Sequence, residues 1–202
     1  MNVGRRTQAQ RREATRAALI GAARELFADR GFAAVGTSEI VQRAGVTRGA
    51  LYHHFADKHD LFRAVYERVE QELTERIVTE VPLAGADDPV TVLRRGTARF
   101  LDACLEPEVQ RIALLDAPAV LGYEVWREIG ERYGLGLIAA ALQSAVESGA
   151  LPAQPVRPLA HVLLGALDEA ALYIARADDV AGARREIGET LDRLLTALTG
   201  AR

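Results

Sequence analysis

Residues 37–58 read TSEIVQRAGVTRGALYHHFADK, and the rest of the chain is organised around them. Thr37 suits an N-cap, with a hydroxyl free to take an orphan backbone N–H of the first turn. Ile40, Val41 and Ala44 then form an apolar face at helical spacing. Gly45 follows at once, where helices often end in a left-handed residue that glycine adopts without steric cost. Val46 fills the space between two helices. Thr47 suits a second N-cap, heading a helix over 48–55. Leu51 and Phe55 share its inner face at i, i+4, and Gly49, Tyr52 and His53 point away. Two short helices about one glycine-bearing turn, spanning about 36–55, form a helix-turn-helix. Its second helix enters the DNA major groove.

At these residues the sequence resembles the tetracycline-repressor (TetR) family of bacterial transcription regulators. The matching residues are Thr37, Ile40, Ala44-Gly45-Val46-Thr47, Gly49, Leu51-Tyr52, His54-Phe55, Lys58 and Leu61. Helix 1 is included, so the resemblance covers roughly the first third of the chain. Val41 departs from it, standing where the family usually has alanine. The resemblance implies an all-α fold with a three-helix DNA-binding domain over residues 12–72. Helix 4 leads from there into a ligand-binding and dimerisation domain over residues 73–202. It implies a homodimer on a palindromic operator of double-stranded DNA, released by an unknown small molecule. On the DNA-facing side, Thr37, Tyr52 and Lys58 are expected on phosphates, which position the protein. Arg48, Ala50 and His53 are expected at base edges, with backbone near Gly49 where the helix meets the groove. Ser38 and Thr47 complete the set.

The net charge of −3 hides an asymmetry. Residues 1–60 hold 10 basic and 6 acidic side chains, and residues 61–202 hold 15 and 22. A basic head on an acidic body suits a nucleic-acid module joined to something that does not touch nucleic acid. Lys58 is the only lysine, and Cys104 the only cysteine, so no intramolecular disulfide forms. The polar, basic N-terminus is no secretory signal. No stretch reads as a membrane span, so no membrane partner is expected and the cytoplasm is the default location.

Along the chain, residues 1–12 read as a basic arm with Arg5, Arg6, Arg11 and Arg12. Helix 1 is expected over about 13–30, with Gly31 capping it and Phe32 folding back. Asp57 caps helix 4, where Leu61, Val65, Val69, Leu73 and Ile77 recur every four residues. Residues 82–89 read as a loop, and Asp88-Pro89 starts helix 5. A short helix over about 109–115 precedes a break at 116–122. The next spans about 123–148, disturbed near Gly134 and Gly136. Two further helices run to about 177 and over about 180–198, making nine in all and no strand.

No His-Glu-x-x-His, Gly-x-Ser-x-Gly or phosphate-cradling loop is present, so no catalytic residue and no cofactor is expected. His53, His54 and His59 are not expected to hold a metal, because neighbouring helical side chains diverge by about 100°. The resemblance places a ligand among helices 4 to 7. Phe100, Cys104, Tyr123, Trp126 and Tyr133 are the candidate lining, with Asp116 as a polar anchor. It also implies a four-helix dimer interface from the last two helices. The apolar stripes there are Leu163, Leu167, Ala170 and Ile174, with Ile187, Leu191, Leu195 and Leu198. Two other classes compete: an enzyme with an accessory helix-turn-helix, and a DNA-packaging protein. The missing catalytic constellation counts against the first, and the acidic body against the second. Within the regulator class, an activator or a regulator without a ligand is an alternative.

Overall fold

The computed structural model describes residues 7–82 and 88–198, all helices and short connections with no strand among them. Helix α1 is Gln8–Ala34, α2 Thr37–Ala44, α3 Arg48–His54, α4 Lys58–Glu80 and α5 Pro89–Ala103. Helix α6 covers 107–121 and α7 covers 123–147, each with a wide turn in its middle. Helix α8 is Val156–Ala175 and α9 is Val180–Leu198.

Helix α1 begins earlier than expected. The Thr7 side chain accepts the Gln10 N–H, and the Gln10 side chain accepts the Thr7 N–H, a reciprocal cap that anchors the first turn. Arg11 and Arg12 therefore sit on a helix rather than in an arm, and Arg5 and Arg6 lie outside the described residues. The expected loop at 82–89 also falls largely outside them. Gly31 breaks α1 with φ 76° and ψ 163°, a conformation that L side chains avoid. The chain turns back there, and the Phe32 ring packs on Phe27 and Phe62 at centroid distances of 5.7 and 5.1 Å.

The expected break at 116–122 is a helix instead. Residues Gln110–Asp116 form a wide π-type turn, and Ala117–Leu121 continues as α-helix to Gly122. Pro118 lacks an N–H and would clash in a regular helix interior. The wide turn removes the conflict. The Ala117 N–H bonds to the Ile112 carbonyl, five residues back, and Pro118 falls in the first turn of the resumed helix, where no donor is needed. In α7 the expected disturbance is a second wide turn, Glu131–Leu135, between α-helical halves.

Two large apolar cores and a small cluster around Cys104, Leu114 and Ala171 hold the described residues together. The first joins Leu19, Phe27, Ile40, Leu51 and Phe62 of the first four helices to Ile112 of α6 and Trp126 and Ile129 of α7. The second joins Leu101 of α5 and Leu142 of α7 to α8 and α9. This second core takes in the residues expected at the dimer interface. Leu163, Leu167, Ala170, Ile174, Leu191 and Leu195 are all buried within the single chain, and Ile187 and Leu198 pack against them. Helical periodicity identifies an apolar stripe but not which body it meets. The outer faces of α8 and α9 carry different residues: Val162 is 69% exposed, Tyr173 48% and Leu194 53%. By length and composition α8 could also cross a bilayer. In the fold seven of its residues are core, from Ala160 to Ile174.

Candidate DNA interface and enclosed cavity

The helix-turn-helix forms from local signals. Gly45 closes α2 in the left-handed region, φ 65° and ψ 31°, and its N–H reaches the Gln42 and Val41 carbonyls. Thr47 caps α3, its hydroxyl oxygen accepting the Ala50 N–H at 3.2 Å. Ile40, Leu51 and Phe55 are buried, so the facing sides of α2 and α3 are fully used. Thr37 differs from expectation. Gly36 occupies the cap position without a side-chain bond, and Thr37 is the first helical residue. Its hydroxyl lies instead beside that of Tyr52.

The outer surface of α3 presents Arg48, Gly49, Tyr52 and His53, all exposed, with Ala50 half-buried and Ser38 and Thr47 exposed beside them. The Arg48 guanidinium lies over the Tyr52 ring, 5.7 Å from its centroid. Hydrogen bonds from Arg48 and then Thr37 hold the Tyr52 hydroxyl below its ordinary pKa. Arg48 has no carboxylate partner among the described residues. Two neighbouring arginines do: Arg30 is paired with Glu39 at 2.6 Å, and Arg43 Nε with Glu25 at 2.9 Å. Positive charge extends toward α1, where Arg16 sits 5.3 Å from the Phe55 ring centre. Burial first, then His53, Arg12 and Arg16, lower the pKa of His54.

Lys58 is turned inward. Its Nζ donates to the Phe32 and Val35 carbonyls, both at 2.9 Å, and lies 4.0 Å from the Phe32 ring centroid. The ammonium thus closes the end of α1 after the Gly31 break, leaving one of its three donors for anything else. This replaces the expectation of a side chain directed at phosphate. The Asp57 cap places Lys58 at the start of α4 as expected, but the direction of a long flexible stem depends on the tertiary neighbours it finds.

Between α4, α5, α7 and α8 lies a cavity of about 130 Å³. Leu73, Ile77, Phe100, Trp126, Leu137 and Leu167 supply much of its apolar wall. Of the candidate lining residues, Phe100, Cys104 and Trp126 face it. Tyr123 is 64% exposed, its ring 5.7 Å from that of Trp126, and Tyr133 packs against the first core. Asp116 is far from an anchor's role. Its Oδ2 accepts the Phe32 N–H at 2.7 Å, clamping α6 onto the turn after Gly31. Burial pushes the Cys104 thiol well above its ordinary pKa, so it stays a protonated wall group.

The polar groups of the cavity were missed in the sequence. Tyr66, Glu70, Arg127 and Asp168 all line it. Arg127 pairs with Asp168 at 2.6 Å and with Glu131 at 3.0 Å, and also reaches the His161 carbonyl. Glu70 has no cationic partner among the described residues, only the Tyr66 hydroxyl beside it. Burial raises Glu70 to about 7, and burial raises Asp168 to about 6 against the pull of Arg127. A signal was present: Glu70 follows Phe62 and Tyr66 at i+4 steps on an inward face, and Asp168 interrupts the apolar run of α8.

Cavity and DNA face are mechanically joined. Helix α4 starts at Lys58 beside α3 and carries Tyr66, Glu70, Leu73 and Ile77 along the cavity. Arg24 of α1 bonds Glu72 of α4 at 2.5 Å and Glu108 of α6 at 2.7 Å. The Trp126 indole donates to the Ala113 carbonyl at 2.9 Å, and the Tyr66 hydroxyl donates to the Trp126 carbonyl at 3.3 Å. A change at the cavity wall therefore reaches α4 and α6 through direct bonds.

Residues 19–65 match the family model of bacterial regulatory proteins of the tetR family, and residues 90–198 match the tetracyclin repressor-like C-terminal domain. The chain is 34% identical to the HTH-type transcriptional regulator AcrR of Shigella flexneri over 112 residues, 55% of this chain and 51% of that one. It thus spans about half the length of that relative. It is 27% identical to the TetC protein of transposon Tn10 of Escherichia coli over 153 residues, 76% of each chain. A TetR-family transcriptional regulator from Pectobacterium atrosepticum superposes with a TM-score of 0.83 at 34% identity, covering 96% of this chain and 97% of that one.

Proposed function

The chain belongs to the tetracycline-repressor family of bacterial transcription regulators, and from that premise we propose that it is a homodimeric repressor released from a palindromic operator by a small molecule. The observation that carries this reading is helix α4. One 23-residue helix begins beside the recognition helix α3 and lines the cavity with its middle and far end. A rigid helix of that size spans about 34 Å. A ligand that favours one tilt of α4 shifts the population of paired α3 helices toward or away from the spacing of two DNA half-sites.

Residues 12–72 serve as the DNA-binding part and residues 73–202 as the ligand-binding and dimerisation part. Arg48, Ala50 and His53 meet base edges, and Thr37, Ser38, Thr47 and Tyr52 meet phosphates, with Gly49 allowing close approach. Dimerisation uses the outward faces of α8 and α9. Val162, Glu169 and Tyr173 recur there at helical spacing, with Leu194 alongside, and large exposed apolar side chains in one region mark an interaction surface. A family of soluble regulators argues for a cytoplasmic, non-enzymatic protein. Footprinting on the DNA upstream of its own gene tests the proposal. One protected palindrome, with half-sites about one helical turn apart, is expected. Uniform coverage at all concentrations would overturn it in favour of packaging.

A further inference from the structure

We infer that the cavity accepts a lipophilic amine in its protonated form, with the ammonium held by Glu70 and the apolar body against α5 and α7. The inference rests on the reading of the cavity as a ligand site and names the chemical class of that ligand.

The balance of charge around the cavity decides the class of ligand. Among the described residues the cavity wall carries two carboxylates, Glu70 and Asp168, and one cation, Arg127. Arg127 is already committed: Asp168 takes one arm of the guanidinium, Glu131 takes Nε, and the His161 carbonyl takes the other arm. Glu70 is half-buried and lines the cavity, with no cation of its own among the described residues. The other titratable groups facing it are Tyr66 of its own helix, Cys104 of α5, Arg127 of α7 and Asp168 of α8; Glu131 and His161 stand behind Arg127. Tyr66 and Cys104 are held neutral by burial, which raises both. The unmatched charge of the site is therefore negative.

An anionic ligand would have to displace Asp168 or Glu131 from Arg127 and then face Glu70. A neutral ligand would leave Glu70 either ionised in an apolar wall or protonated. A cation removes the cost, because a buried charge is tolerated when paired. The remaining wall fits an apolar body: Phe100, Trp126, Leu137, Ile138 and Leu163 surround the polar corner.

Three probes with one body and three head groups test this: phenylbutylamine, phenylbutanol and phenylbutyrate. Trp126, the only tryptophan, lines the cavity and reports binding by its emission. The amine is expected to bind roughly 10- to 100-fold more tightly than the alcohol, with the butyrate weakest. Glu70→Gln should reduce amine affinity toward that of the alcohol and leave the alcohol unchanged. The parent protein supplies a second measurement that needs no variant. With Glu70 raised to about 7, amine affinity should rise about tenfold from pH 6 to pH 8 as the carboxylate ionises, while the alcohol stays flat. Equal affinity for amine and alcohol, preference for the butyrate, a flat pH profile for the amine, or no binding by any probe would each overturn the inference. Anisotropy of labelled operator in the same samples keeps the two readings apart. An amine that binds without releasing operator supports the ligand class and refutes release. Release by the butyrate supports ligand-released repression and refutes the class.

Discussion

Lys58→Met removes the ammonium and keeps most of the apolar stem, which makes it a clean test of the inward lysine. Two charge-assisted hydrogen bonds, to the Phe32 and Val35 carbonyls at 2.9 Å, disappear together with the contact over the Phe32 ring. Shielded bonds of this type contribute roughly 1.5–3 kcal/mol each, and an exposed cation–π contact adds about 0.5–1 kcal/mol. Lys58 is half-buried, so water replaces part of what is lost and the net cost falls to about 2 kcal/mol. In a chain of 202 residues each kcal/mol moves the melting temperature by about 2–4 °C. The variant should therefore melt about 4–8 °C below the parent in a circular dichroism scan. Its operator binding, measured across a salt series, should keep the parental log–log slope, because an ammonium spent on carbonyls neutralises no phosphate. Unchanged melting together with a slope smaller by about one per half-site would refute the reasoning and return Lys58 to the DNA backbone.

Arg48→Ala should cost roughly 1–3 kcal/mol per half-site on the operator and little on scrambled DNA, because its planar fork can hold guanine O6 and N7 together; equal loss on both DNAs in a titration would remove its base-reading role. Leu194→Arg should convert the proposed dimer to monomer in light scattering without lowering helicity. Leu191→Arg, at a site only 3% exposed, should unfold the chain instead. The two variants behaving alike would contradict the division between inner and outer faces of α9. Glu70→Gln has a pH signature in stability. Its folded pKa is raised from 4.5 to about 7, so the folded carboxylate binds its proton more tightly than the unfolded one and stability falls as pH rises through that window. The variant should match the parent at pH 4 and exceed it by about 1–3 kcal/mol at pH 8 in urea unfolding. A gain that is the same at both pH values would refute burial as the cause.

The resemblance to the family, legible in the sequence, has its counterpart in the family models that cover most of the chain. So does the all-helical architecture of nine helices among the described residues. The residues that made this possible act on their immediate neighbours. Gly45 ends α2 because of its own φ, Thr47 caps an N–H three residues on, and Asp57 accepts the Asp60 N–H at 2.8 Å. Helical periodicity also found the inward faces of α3 and α4. What the tertiary structure alone decided depends on atoms far apart in the chain. Lys58 bends to carbonyls 23 and 26 residues away, and Asp116 clamps an N–H 84 residues away. Leu191 and Leu195 are buried in a core shared with α5 and α8 of their own chain. Glu70 and Asp168 lie on helices almost a hundred residues apart, and only folding brings two carboxylates to one apolar cavity. Caps and turns are encoded within a few residues, whereas the direction of a long side chain, the body an apolar stripe meets and the charge balance of a cavity arise only when distant helices close on one another.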